Sequence, residues 1–266
     1  MHRFHHTKEH EQEESFFVSM TDMMVGIIFL FIIMLMFFAM KFSDDSVDYR
    51  AEIKKLAAER DRLRSQVELL QGAENTRDAV VEAIYTSLKD QGVEVVIDKD
   101  NGILRLPESI LFAVGKAELS TEGRSAVALL AHALATVLPC YTGQGSMPLP
   151  NNCTPSAFGL EALLIEGHTD TDGDENINWR LSMERALHTY QVLIKECPEL
   201  STLCSRQERK DQAAYPLMSI AGYGFKRPVV PNDTEEHKRL NRRIDLRFIM
   251  APPDTMILDA ARRSLQ

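Results

Sequence analysis

An aspartate stands at the head of the most apolar stretch of the sequence. Asp22 directly precedes the run Met23–Met40, MMVGIIFLFIIMLMFFAM, which contains no charged side chain. If a membrane-crossing helix begins near Phe16, this carboxylate lies about 9 Å inside the hydrocarbon, where it is costly to keep charged and can carry a proton. In the alternative, Asp22 lies at the hydrated interface and only marks the start of the helix.

The residues around Asp22 place their polar atoms on one side of the predicted helix. Ser15, Ser19, Asp22 and Gly26 follow one another at spacings of four, three and four, which puts them on a single helical face. Small and polar residues in a membrane helix favour contact with other helices over contact with lipid. We therefore expect this face to contact protein.

A second group of acidic residues follows a predicted strand. The segment Asp170–Asp174 carries three aspartates at alternate positions, as in a calcium-binding loop. However, its glycine is Gly173 instead of the sixth residue, and Leu181 occupies the place of the terminal glutamate. A zinc site built on His168 lacks the second histidine at a suitable spacing. We expect no metal, no cofactor and no enzymatic activity.

The four cysteines all follow the apolar run, in two close pairs. Cys140 and Cys153 flank a stretch rich in proline and glycine, so a bridge between them would close an insertion. Cys197 and Cys204 suggest a second, smaller clip. Four cysteines allow three connectivities, and free buried thiols remain an alternative. The pairing favours an oxidising compartment.

The apolar run is long enough to cross a membrane once, with the transmembrane helix predicted over residues 16–40. Lys41 follows directly and no small-residue cleavage pattern appears, so we expect an uncleaved anchor. Flanking charges do not fix its orientation. The cysteines favour a cytoplasmic N-terminus and an extracytoplasmic C-terminal domain. The net charge of -9 argues against a nucleic-acid partner.

A possible dimerisation segment follows the membrane helix. Its apolar residues alternate spacings of three and four with one charged interruption, and they are Ile53, Leu56, Arg60, Leu63, Val67 and Leu70. This pattern predicts a short parallel coiled coil and hence a homodimer. A single amphipathic helix or a plug is the alternative. Gly72–Asn75 is expected to break the helix before a further helix over 76–89.

The rest of the chain alternates between strand and helix patterns. Strands are predicted over 93–97, 102–106, 160–167, 217–221 and 243–249, and helices over 120–138 and 176–195. Interleaved elements of this kind predict one α+β domain, with a mixed sheet packed against helices. The predicted fold class is therefore a single N-terminal transmembrane helix and an α+β domain, joined by a helical linker.

Four segments of this domain resemble, in order, the signature blocks of the OmpA-like peptidoglycan-binding family. They are ILFAVGKAELSTEG, IEGHTDTDGDENINWRLSMERA, AGYG and NDTEEHKRLNRRIDLRF, and the resemblance covers about 93–249. Family members bind the diaminopimelate of peptidoglycan stems, a zwitterion that needs one carboxylate and one guanidinium. The resemblance implies that Asp170 and Arg185 take these two roles. It places the remaining candidate binding residues nearby, namely Thr169, Asn178, Asn241, Arg242 and Arg243.

The segment SMTDMMVGIIFLFIIMLMFF resembles the ion-carrying helix of MotB-type stator subunits, in which an aspartate precedes an apolar run. This resemblance implies that Asp22 carries the ion, expected to be a proton. It also implies a polytopic, MotA-like A subunit that forms a pentameric ring around a dimer of this chain. Among stators, the sequence of this helix is more similar to the B subunits of Zorya anti-phage systems than to flagellar B subunits.

The sequence thus predicts a wall-anchored, proton-driven stator subunit of the bacterial inner membrane. A passive wall tether is the main alternative, and the choice depends on whether Asp22 is needed for function. The predicted organisation has five parts: a cytoplasmic tail (1–15), the transmembrane helix (16–40), a linker (41–75), the OmpA-like domain (76–252) and a C-terminal tail (253–266).

Overall fold

The computed structural model describes residues 5–113, 115–143, 149, 153, 156, 158–206 and 215–252, with backbone only for 5–19, 21 and 44–48. The predicted C-terminal tail, 253–266, lies outside this description. The chain divides into two units, residues 1–64 and 65–266. The boundary falls inside the predicted linker.

The helices are α1 (His5–Asp90), α2 (Glu108–Leu111), α3 (Thr121–Val137), α4 (Glu175–Glu196) and α5 (Glu235–Asn241). The strands are β1 (Val96–Asp98), β2 (Ile103–Pro107), β3 (Leu160–His168), β4 (Met218–Gly222) and β5 (Arg243–Met250). Short 3₁₀ turns follow α3 and α4, at Leu138–Cys140 and Pro198–Thr202.

The first unit consists of the N-terminal part of α1. Helix α1 already begins at His5, inside the segment predicted to be a cytoplasmic tail. The segment Asp22–Ser43 is long and apolar enough to span a membrane, and its described side chains are exposed. Thr121–Cys140 has a similar length and composition, but half of it is buried, because α3 is a core helix of the second unit.

The break predicted at Gly72–Asn75 is wrong, because these residues are helical. Thr76 Oγ1 donates to the carbonyl oxygen of Gly72 at 2.9 Å. A Cβ at Gly72 would lie 2.5 Å from the Phe158 ring, so the missing side chain makes room for an aromatic packed against the helix. Tertiary packing thus outweighs the low helix propensity of glycine at this position.

The second unit contains a five-stranded mixed sheet in the order β1-β2-β5-β3-β4. β3 and β4 are parallel, and the other neighbouring strands are antiparallel. Helices α3 and α4 pack on each other, and α4 packs on β3 and β4. The predicted fold class, an apolar N-terminal helix and a mixed sheet packed with helices, is confirmed.

The core of this unit is apolar and joins the sheet to the C-terminal part of α1. Val80, Val81, Ile84 and Leu88 of α1 are fully buried together with residues of α3 and the central strands. Burial of each such side chain is worth about 1.5–3 kcal/mol. The segment 80–88 of α1 therefore belongs to the folded core of the domain.

Two glycines allow α4 to approach the sheet closely. A Cβ at Gly167 of β3 would lie 1.9 Å from the carbonyl oxygen of Ser182, and one at Gly222 of β4 would lie 2.7 Å from the amide nitrogen of Met183. Both contacts are shorter than any ordinary van der Waals separation. Glycine in the GHTD and AGYG segments thus fixes the position of α4, and with it the position of Arg185.

The insertion after α3 is closed by a disulfide. Cys140 and Cys153 are bridged, with their Cα atoms 5.6 Å apart. The second clip predicted between Cys197 and Cys204 is not formed, since both are free thiols. Cys197 is buried with its sulfur 3.4 Å from His132 Nδ1, while Cys204 belongs to a backbone bridge with Gly143. Different packing environments therefore hold the two thiols.

Candidate ligand-binding site

The loop between β3 and α4 is held in shape by its own aspartates. Asp174 caps α4, accepting from the amides of Asn176 and Ile177 at 2.8 and 3.3 Å. Asp170 Oδ1 accepts from the Asp172 amide at 2.9 Å. Asn178 Nδ2 donates to the Asp172 carbonyl at 2.9 Å and ties the loop to the first turn of α4. These bonds turn an acidic segment into a fixed platform.

Asp170 and Arg185 belong to one chain of charged groups, although they do not pair directly. Arg242 Nη1 contacts Asp170 Oδ2 at 2.5 Å, and Arg242 Nε contacts Glu108 Oε2 at 2.8 Å. The other oxygen of Glu108 accepts from Arg185 Nη2. Glu108 therefore sits between two guanidinium groups, and the order of charges is Asp170, Arg242, Glu108, Arg185.

Arg185 is deeply placed, with only 2% of its side chain exposed. Its Nε donates to the Lys116 carbonyl at 2.9 Å, and its guanidinium carbon lies 5.1 Å from the centre of the Phe112 ring. Burial lowers the pKa of Arg185, although the contact with Glu108 works in the opposite direction. Truncation of Arg185 would leave Glu108 with a buried charge and one fewer partner.

Arg242 is the more accessible guanidinium, with 24% of its side chain exposed. Burial works to lower the pKa of Arg242, but hydrogen bonds to Asp170 and Glu235 outweigh it and raise the pKa above its ordinary value. The Glu235 contact, at 3.0 Å, is on the solvent side. Arg242 therefore links the buried part of the cluster to its rim.

Lysines neutralise part of the acidic rim. Lys238 Nζ contacts Asp172 Oδ1 at 2.6 Å, and Lys226 Nζ contacts Glu175 Oε1 at 2.8 Å. Exposed pairs of this type contribute at most about 1 kcal/mol each. The main effect of the two lysines is to make the local electrostatic potential less negative.

Three of the predicted binding residues support loops around the cluster. The Thr169 amide donates to the Gly224 carbonyl at 2.9 Å. Asn241 is fully buried, accepts from the Val229 amide at 2.8 Å and donates to the Val230 carbonyl at 2.8 Å. Asn178 ties the 169–174 loop to α4 as described above. Each of these residues therefore holds a loop beside the site in place.

Arg243 points away from Asp170 into a different buried cluster. It donates to Asp245 Oδ2 at 3.0 Å and to the carbonyl oxygens of Asn241 and Arg227, each at 3.0 Å. Its side chain is buried within the sheet end. Of the predicted residues, the structure thus brings Asp170, Arg185 and Arg242 together and separates Arg243 from them.

Glu108 is a site residue that sequence reasoning missed. It directly follows Pro107 and opens the four-residue helix α2, two residues before the ILFAVGK segment. Its partner Arg185 is 77 residues away, so no local pattern reveals the pair. The available signal was a single acidic residue between two apolar stretches, LRLP and SILF.

The cluster around Arg243 contains Glu166, His168 and Asp245, whose possible ligand atoms lie within 4.8 Å of one another. Arg247 binds Glu166 through both oxygens, at 2.9 and 3.0 Å, and Arg105 binds Asp245 at 2.9 Å. With Arg243, three guanidinium groups already neutralise two carboxylates, which disfavours a bound cation. We interpret these residues as a buried ion-pair network.

This network shifts the protonation of its members. Burial would raise the pKa of Glu166, but contacts with His168 and Arg247 outweigh it and lower the pKa to about 2. Burial lowers the pKa of His168, whose ring stacks on Tyr223 with the centroids 5.4 Å apart. Neither ring nitrogen of His168 has a hydrogen-bond partner among the described residues.

An open groove of about 730 Å³ lies on the surface of the second unit. It runs between the loop 113–120 and α4, and His188 Nδ1 lies 2.7 Å from the Ala117 carbonyl at its edge. Lys116, whose carbonyl binds Arg185, is part of its lining. Its lining includes none of Asp170, Glu108, Arg185 and Arg242, and it is linked to the charged cluster through Lys116.

Sequence comparison finds bacterial proteins of low identity. No family model matches the sequence. The chain is 22% identical over 260 residues to the uncharacterized protein YtxE of Bacillus subtilis, covering 90% of both chains. It is 25% identical over 177 residues to motility protein B of Bacillus subtilis, covering 65% of this chain and 54% of that protein. The alignment with motility protein B thus spans about half of that relative.

Structure comparison returns solved periplasmic domains of MotB proteins. The periplasmic domain of Helicobacter pylori MotB is 18% identical and matches with a TM-score of 0.39, covering 61% of this chain and 84% of that domain. The chain described above is thus similar in sequence to a motility protein B, and it combines an apolar N-terminal helix with a charged site in a mixed α+β domain.

Proposed function

We propose that this protein is the B subunit of an ion-driven membrane stator, anchored to peptidoglycan by its C-terminal domain. The similarity to motility protein B over 177 residues supports this function. The order of parts along the chain also supports it, because an apolar helix headed by an aspartate precedes the α+β domain. We place it in the bacterial inner membrane, with the N-terminus in the cytoplasm and the domain in the periplasm.

The observation that carries the wall-binding part is the single chain of charges from Asp170 to Arg185. A carboxylate and two guanidiniums lie together at the end of the sheet. The free end of diaminopimelate is a zwitterion and needs charges of both signs. In this proposal the carboxylate of Asp170 binds the ammonium group of diaminopimelate. The guanidiniums of Arg185 and Arg242 lie at the carboxyl end of the same ligand.

Asp22 is the proposed ion carrier. Its side chain is exposed on α1, at the start of an apolar segment with no other acidic residue before Asp44. A partner that covers this face would remove the carboxylate from water and favour its neutralisation by a proton. The partner we propose is a pentameric, MotA-like A subunit around a dimer of this chain. Movement of one charge through 100 mV supplies about 2.3 kcal/mol per step.

We further propose that the stator belongs to a Zorya anti-phage system, because the amino-acid sequence of its membrane helix resembles those of Zorya B subunits. A flagellar stator and a passive wall tether are the alternatives. A helicase-like or nuclease-like gene beside this one would support the defence role, and flagellar neighbours would overturn it.

The motor and tether functions separate in one set of variants. Cells that carry this gene and its neighbouring A-subunit gene are scored for phage protection and for motility, with Asp22→Asn, Asp170→Ala and Asp61→Asn in parallel. Asp61 is an exposed helical aspartate outside the apolar segment and serves as the matched control. A motor requires that Asp22→Asn and Asp170→Ala both abolish activity while Asp61→Asn retains it.

Two physical measurements distinguish a loss of proton transport from a loss of peptidoglycan binding. Asp22→Asn should still co-sediment with purified peptidoglycan, whereas Asp170→Ala should not. Proton uptake by vesicles containing both subunits should disappear in Asp22→Asn. Full activity of Asp22→Asn, with loss of activity in Asp170→Ala, would establish the tether function and refute the motor.

A further inference from the structure

Glu108 is the shared anionic partner of the two guanidiniums of the cluster. One of its oxygens binds Arg242 Nε at 2.8 Å and the other binds Arg185 Nη2, so both guanidiniums already have an anionic partner within the protein. The Glu108 amide also donates to the Arg242 carbonyl at 3.0 Å, which fixes the start of α2 against the 241–243 segment. Glu108 is buried and held from both ends.

A ligand with a free carboxylate would therefore have to displace Glu108. That exchange replaces one carboxylate with another on the same two cations, and so yields little net electrostatic gain. It would also leave Glu108 buried without its partners, or require α2 to move, and an unpaired buried charge is costly. A second anion bound beside Glu108 without displacement would be repelled.

The net charge of the cluster supports the same conclusion. Ion pairs link the carboxylates of Glu108, Asp170 and Glu235 to two cations, Arg185 and Arg242. This connected set has one more negative than positive charge. It suits a ligand end that brings an ammonium group and a neutral hydrogen-bond donor.

We propose that Glu108 is a specificity-determining residue, which makes the site prefer a diamino acid whose free carboxyl group is amidated. The inference rests on the proposed peptidoglycan-binding function. A carboxamide is neutral and its NH₂ group can donate to Glu108, while the ammonium group binds at Asp170. A free carboxylate in the same place meets an anion that is already in position.

The test compares two synthetic stem peptides that differ only in a carboxylate or a carboxamide on the distal carbon of diaminopimelate. Binding to the full-length chain in detergent is measured by titration calorimetry. We expect the wild type to bind the amidated stem about tenfold more tightly, the scale of a partly screened repulsion between two carboxylates. This comparison is independent of any variant.

Glu108→Gln removes the charge and keeps the shape of the side chain. We expect it to tighten binding of the free acid, because Arg185 and Arg242 lose their shared anion, and to remove the preference. Glu236→Gln is the matched control, since Glu236 is exposed on α5 and pairs with Arg239 outside the cluster, and its ratio should equal that of the wild type.

Two results overturn the inference. If the wild type binds the free acid as tightly as the amide or more tightly, Glu108 does not set selectivity. If Glu108→Gln and Glu236→Gln change the ratio equally, the effect is one of overall charge. A wild type that binds neither stem, nor purified peptidoglycan, refutes the proposed wall-binding function itself, which is a distinct outcome.

Discussion

Glu166→Gln should make the free energy of unfolding of the domain less dependent on pH in the acidic range. The carboxylate is 1% exposed and both of its oxygens bind Arg247. Its pKa of about 2 lies well below the ordinary value of 4.5. A depressed carboxyl pKa contributes stability that is fully present above the unfolded value and is lost as the pH falls from about 4.5 toward 2. That difference corresponds to about 3 kcal/mol.

An independent estimate gives the same size. Removing one partner of a buried ion pair costs about 3–5 kcal/mol, because the remaining charge is left uncompensated. At pH 7 we therefore expect Glu166→Gln to lower the free energy of unfolding by about 3 kcal/mol. Below pH 4.5 the difference between variant and wild type should shrink, since the wild-type carboxyl then becomes protonated as well.

The assay is urea unfolding of the full-length chain in detergent, followed by circular dichroism at a series of pH values from 7 to about 2.5, a range that covers the titration described above. Glu161→Gln on the same strand is the matched control, because Glu161 takes no part in the network around Glu166. A difference between Glu166→Gln and wild type that stays constant across this range would refute the linkage. A loss at pH 7 no larger than that of Glu161→Gln would refute the energetic role of the pair.

Other substitutions test the framework of the domain. Gly167→Ala should destabilise it by about 3 kcal/mol or more and impair peptidoglycan binding, because the new methyl group would collide with the Ser182 carbonyl and push α4 outward; thermal unfolding and co-sedimentation measure both effects. Ser120→Ala should cost about 1 kcal/mol through the lost cap of α3, measured by urea unfolding. Cys153→Ser should remove about 3 kcal/mol by releasing Cys140, with no further loss on reduction.

The regular elements could be predicted from the sequence because their patterns are local. Strand β3 was expected over 160–167 and runs to His168, and α4 was expected over 176–195 and spans Glu175–Glu196. Alternating and helical periodicities are set by neighbouring residues, and both elements are long. The helices α2 and α5 were missed, because four and seven residues are too few to show a period.

The errors arose where distant residues decide the outcome. Glycine at position 72 indicates a helix break until the ring of Phe158 is seen to pack against it. Asp170, Arg185 and Arg242 were identified as site residues through a family resemblance, and they do lie together. Glu108 could not be found in this way, because its role depends on guanidiniums contributed by two other parts of the chain.

The sulfur bridge after α3 has a consequence for how the protein responds to cleavage. Cys140 and Cys153 enclose a ring of main chain. A protease that cuts once between them adds one water molecule to the mass without releasing a fragment, and the two pieces separate only when a thiol reagent opens the ring. The segment between the two cysteines can therefore be nicked while the parts that carry Glu108 and Asp170 stay covalently joined.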